Sequence, residues 1–73
     1  MENYTAKAMV GLSLIGDMTP QAIGSILSGA YDFELKCAIN YRNQLPAPTK
    51  ESDLDQPNVL EQVERIKNYY PQE

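Results

Sequence analysis

The chain has 73 residues, and a domain this small rarely buries enough apolar surface to stand without a disulfide, a metal or an associated protein. Its single cysteine excludes an internal disulfide, and the lack of histidine beside that one cysteine leaves no ordinary zinc site. Ten acids against six bases give a formal charge of −4, which excludes counterion release as the force behind DNA or RNA binding and disfavours an anionic membrane surface.

With 42% hydrophobic and 22% charged residues the chain is globular in class and is expected to form one domain over 1–73. The remaining stabiliser for so small a core is oligomerisation or docking on a partner protein. A free thiol fits a reducing compartment, so the expected location is cytoplasmic. The apolar run Ala8 to Gly16 is a poor signal peptide, because Glu2 precedes a lone Lys7 and Asp17 interrupts early. It is also too short for a transmembrane helix, which needs about 20 apolar residues.

In chain order, residues 4–15 read as a first helix, opened by Asn3 or Thr5 and stopped by Gly16 in the C′ position. Ala8, Met9, Leu12 and Ile15 share one face, with Val10 and Leu14 on the other side, so burial on more than one side is expected. Gly11 costs this helix about 1 kcal/mol of intrinsic propensity relative to alanine.

Thr19 and Pro20 carry a start signal for the next helix: a capping hydroxyl followed by a residue suited to the first helical position. The spacing predicts one long central helix over 20–44. Its apolar face is Ile23, Ile26, Leu27, Ala30, Phe33, Cys37 and Tyr41. Ser28-Gly29 is the place where this helix could break, with Asp32 capping a new one, but the face stays in phase across the glycine and favours continuity. Glu34 is the single polar residue inside the stripe. It is either a rim carboxylate or a buried contact that fixes register, with Lys67 or Arg65 as its expected partner.

Pro46 and Pro48 begin a polar connector over 45–56, whose residues 49–56 are expected to be the most mobile internal segment. Leu54 is its one large apolar group after Leu45 and suits a hydrophobic staple. A last helix is expected over 57–70, with Asp55 near its N-cap, Pro57 in its first turn and Pro71 ending it. Its stripe is Val59, Leu60, Val63, Ile66 and Tyr70, and Glu61 with Arg65 forms an i, i+4 pair. The predicted fold is therefore all-α: a short apolar helix, a long amphipathic helix and a C-terminal helix after a Pro-rich linker, packed as a small bundle.

No chemistry-bearing constellation withstands its alternative. Asp53, Asp55 and Glu64 imitate three positions of a calcium loop, yet Asn58 stands where the sharp turn needs glycine. Asp32, Glu34 and Cys37 lack the histidine that would activate a thiolate, and Cys37 belongs with the core. A helix-turn-helix reading fits the gross layout of 20–44, but its recognition helix would begin with two acids, Asp32 and Glu34, and offer only Lys36, Asn40 and Arg42 to the groove. The chain is thus expected to be non-catalytic, without cofactor or metal. It is read as an interaction or assembly module that self-associates or docks on a protein, with a helix-turn-helix regulator as the alternative. The expected interface comprises Ile23, Ile26, Leu27, Ala30, Phe33, Glu34, Cys37 and Tyr41 of the central helix with Val63, Ile66 and Tyr69 of the last.

Overall fold

Asn3 opens the first helix, its Oδ1 accepting the Ala6 amide at 3.0 Å. The computed structural model describes residues 3–70 and holds four α-helices: α1 (Tyr4–Gly16), α2 (Pro20–Ser28), α3 (Asp32–Arg42) and α4 (Pro57–Tyr69). A 3-10 turn spans Glu51–Leu54, and no strand occurs among the described residues. The expected all-α bundle is the observed fold.

Gly16 does not stop α1 as expected; it stays helical, and Asp17 ends the helix with its amide on the Leu14 carbonyl at 3.2 Å. The buried face also differs, since Ala8 and Gly11 are enclosed while Met9 and Val10 are each 42% exposed. Small residues let two helix backbones approach more closely than a face of large ones would. A Cβ on Gly11 would overlap the Glu34 carbonyl oxygen and stand 2.8 Å from the Ala38 Cβ, so this glycine is where α1 lies against α3.

Thr19 and Pro20 start α2 as the sequence requires, with the Thr19 hydroxyl accepting from the Ala22 amide at 3.2 Å. The continuous central helix is not formed. Gly29 adopts φ 85° and caps α2, a conformation that costs other residues about 1–2 kcal/mol. Ser28 reinforces the stop: its hydroxyl donates to the Ser25 carbonyl at 2.9 Å and accepts the Ala30 amide at 3.3 Å. After Tyr31 the chain restarts as α3, with Asp32 and Glu34 favourably placed in the first turn.

Burial in α3 follows a different phase from the expected stripe, because α1 packs on one side of it and α4 on another. Leu35, Cys37, Ala38, Ile39 and Asn40 are buried, whereas Ala30 and Tyr41 are exposed. The helix ends at Arg42, two residues before the expected limit. Gln44 takes φ 58°, and the Leu45 and Gln44 amides reach back to the Asn40 and Tyr41 carbonyls at 3.1 and 3.0 Å, the paired bonds of a Schellman stop. Glycine suits that left-handed position better than glutamine. Replacing Gln44 with glycine is expected to raise stability by about 0.5–1 kcal/mol. Thermal melting checks this, and an unchanged or lower melting temperature would show that the position carries no strain to relieve.

The connector makes more contacts with the bundle than its polar composition suggests. Asn40, 5% exposed, donates its Nδ2 to the Pro46 carbonyl at 3.2 Å and ties the extended segment to α3. Asp53 accepts from Thr49 Oγ1 at 2.8 Å and from Thr49 N at 3.0 Å, and these bonds, the hydroxyl first, hold its pKa below the ordinary 3.8. Leu54 is wholly buried with Ala8 and Cys37, flanked by Tyr4 and Phe33.

Pro57 begins α4, but Gln56 is its N-cap and no side chain caps it. Asp55, expected in that role, instead pairs with Lys36 of α3 at 2.8 Å. Pro71 lies outside the described residues, and α4 ends at Tyr69. The last helix packs on its own chain, where Val59, Val63 and Tyr70 close the main core over Ile26, Leu35 and Ile39. Leu60, expected in that stripe, is 39% exposed. Lys67 near the end of α4 adds a tie to the start of α3: its Nζ donates to Asp32 Oδ2 at 3.1 Å and lies 2.9 Å from Oδ1.

Candidate functional site

Closing the core within one chain uses up much of the expected interface. Ile26, Cys37 and Val63 are buried inside the chain, while Ile23, Leu27, Phe33 and Ile66 are half-buried with their inner sides on its own core clusters. Glu34 is not paired with Lys67 or Arg65; its side chain, 17% exposed, lies 3.9 Å from Lys7 of α1. Arg65 instead sits 3.5 Å from Glu61, one turn away on α4. Ala30, Tyr41 and Tyr69 are the expected interface residues that remain freely exposed.

Tyr69 borders a cleft of about 540 Å³. The cleft forms where Ile15 at the end of α1, Met18 in the α1–α2 connection and α4 converge, with Arg42 at the edge of α3. Local chemistry explains the placement of each wall. Asp17 accepts the Thr19 amide at 3.1 Å and Thr19 caps α2, a tight turn that leaves Met18 outside and 57% exposed. In α4, Val59 and Val63 point inward, so Ile66 falls on the boundary and Tyr69 is 76% exposed. The Tyr69 ring stands edge-on to Tyr70, centroids 5.5 Å apart at 81°. Tyr70 is itself buried, with its hydroxyl 3.4 Å from the Ile15 carbonyl oxygen. An exposed ring set edge-on against a buried one offers an apolar surface for a partner to cover.

Among the described residues two arginines, Arg42 and Arg65, and one acid, Glu61, also border this cleft, giving these walls a positive balance in an acidic chain. Tyr69 is legible in the sequence because it lies off the apolar stripe. Met18, Ile15 and Arg42 are not marked as members of this cleft. The available signal for Met18 was a large apolar residue in a turn with little to cover it; nothing local marks Arg42, whose place depends on the approach of α4.

A second cleft, about 580 Å³, lies on another side of Arg42. Its walls come from the start of α1 (Tyr4, Thr5), the last turns of α3 (Cys37 to Arg42) and the extended residues through Pro48.

Among the described residues no group of three or more His, Cys, Asp or Glu side chains is gathered to hold a metal ion, and no helix is long and apolar enough to cross a membrane. The α2–turn–α3 layout resembles a helix-turn-helix in outline, but α3 is enclosed and only Tyr41 and Arg42 of it are fully exposed. Compared with known proteins, the chain matches no family model, no curated protein and no solved structure.

Proposed function

We propose that the chain is a non-catalytic docking module that holds an acidic, amphipathic segment of a partner protein in the cleft between α1 and α4. The observation that carries this reading is Tyr69, exposed to 76% yet braced edge-on by Tyr70 beside an exposed Met18. Aromatic, methionine and arginine side chains are those enriched in interface cores and hot spots, and here they border one concave surface. The occupant's charge follows from Arg42 and Arg65, which outnumber Glu61 along the cleft. The helix-turn-helix alternative is weaker, since the helix that would enter a DNA groove is the one enclosed by the bundle.

The test is selection of a random displayed peptide library against the full chain, followed by solution titration of the enriched peptides. Enriched sequences are expected to carry large apolar residues at helical spacing flanked by Asp or Glu. Their affinity is expected to fall at least about tenfold on Tyr69→Ala, roughly 1.4 kcal/mol. Peptides without acids, or indifferent to Tyr69→Ala, would remove the cleft as the docking site. Glu61 and Arg65 place both charge signs on this face, so a second copy could also cover it in a two-fold arrangement. Light scattering at micromolar concentration decides that point: a doubled mass abolished by Tyr69→Ala assigns the face to self-association instead.

A further inference from the structure

The second cleft shares Arg42 with the docking face but otherwise has walls that the docking face does not use. Its volume, about 580 Å³, falls in the range of small-molecule sites. Tyr4, Tyr41, Leu45 and Pro48 give it apolar, partly aromatic walls. Arg42 at its edge makes no ion pair or side-chain hydrogen bond among the described residues, although the chain carries more acids than bases. Asn40 in the wall is 5% exposed and has committed its Nδ2 to the Pro46 carbonyl, which leaves its Oδ1 without a donor among the described residues. That oxygen opens to solvent rather than being sealed in the core, so a ligand seated over it displaces its water and has to offer a donor in exchange.

We infer that this cleft binds a small aromatic carboxylate that also carries an N–H or O–H donor. The acid pairs with the Arg42 guanidinium, whose planar fork suits a carboxylate. The ring lies against the tyrosine and proline walls, and the donor serves Asn40 Oδ1. Each requirement excludes a class of ligand: a cation meets Arg42, an aliphatic acid wastes the aromatic walls, and an acid without a donor leaves Asn40 unsatisfied.

The test uses the full chain, amide-resolved NMR spectra, and 4-hydroxyphenylacetate and indole-3-acetate as probes. Saturable shifts are expected at Thr5, Tyr41, Gln44 and Ala47, with none at Asn58, Glu61 or Gln62 of the other cleft. The neutral amides of both probes, and 4-methoxyphenylacetate, which has no donor, are expected to bind at least about tenfold more weakly. In Arg42→Gln the acids should lose their advantage over the amides, while the unchanged remainder of the spectrum reports an intact fold. Thr5→Trp obstructs this cleft alone and should abolish binding; Tyr69→Ala, on the other cleft, should leave it unchanged. The inference is overturned if neither acid gives saturable shifts, if the shifts fall in the α1–α4 cleft, or if the acids keep their advantage in Arg42→Gln. Because the peptide test reads Tyr69, failure here and failure of the docking reading are distinguished.

Discussion

Replacing Gly11 with alanine is expected to destabilise the chain by about 2 kcal/mol, even though alanine is the better helix former. In an exposed helix the change would gain about 0.5–1 kcal/mol, because glycine loses more backbone freedom on folding. At position 11 the new methyl group would overlap the Glu34 carbonyl oxygen and press on the Ala38 Cβ. Two of the three nearest atoms belong to the backbone of α3, so no side chain can swing aside, and α1 has to move away from the helix it packs on. Overpacking of this kind costs about 1–3 kcal/mol, and separation of α1 from α3 adds lost contact along the interface. For a domain of this size the melting temperature should fall by about 8–16 °C. Gly24→Ala is the internal control. Gly24 is helical and exposed, a Cβ there meets nothing within 4 Å, and the same substitution should raise stability by about 0.5–1 kcal/mol. Opposite signs at the two glycines would establish the close approach of α1 to α3. A stabilised Gly11→Ala would show that the helices do not meet there.

The helix ends show which parts of the fold are legible in the sequence and which are not. Helix starts were legible, because the Thr19–Pro20 and Pro57 signals act through bonds and angles within one turn. The end of α2 was not. Ser28-Gly29 could be a stop or a tolerated glycine, and an apolar face continued in phase through Ala30, Phe33, Cys37 and Tyr41. That phase was coincidental: once α3 is enclosed by α1 and α4, Leu35, Ala38 and Ile39 carry the burial, while Ala30 and Tyr41 face outward. A helix buried on two sides has little amphipathic signal to read. The stop at Gln44 was illegible for another reason, since its left-handed backbone is usually announced by glycine or asparagine.

The candidate sites divide in the same way. Tyr69 could be singled out because its position off the α4 stripe is a property of one helix. Arg42 could not, because its two clefts are assembled from the two ends of α1, from α4 and from the extended residues after α3. Such a place exists only after tertiary packing, and no window of sequence contains it. The acidic composition argues against a broad phosphate-binding surface, but it does not show that the arginines stand on concave surfaces.

Leu54→Ala is expected to cost about 2–4 kcal/mol and to lower the melting temperature by about 8–32 °C. Composition alone argues for almost no effect, because the surrounding APTKESDLDQ is polar and lacks a period. The structure places Leu54 at 0% exposure against Ala8 of α1 and Cys37 of α3, with Tyr4 and Phe33 around it. Its neighbours hold it in place: the 3-10 turn carries it inward, Asp53 binds Thr49 just before, and Asp55 pairs with Lys36 just after. Removing the side chain leaves a cavity beneath a segment that has few other apolar contacts, so the segment detaches more readily than it collapses. Proteolysis under native conditions should then cut within 45–56 faster than in the parent chain, before global unfolding. Leu60→Ala supplies the comparison, since Leu60 is 39% exposed and its truncation should cost no more than about 1 kcal/mol. If both variants melt within a degree or two of the parent and resist protease equally, Leu54 does not anchor the connector and the segment is as loose as its composition suggests.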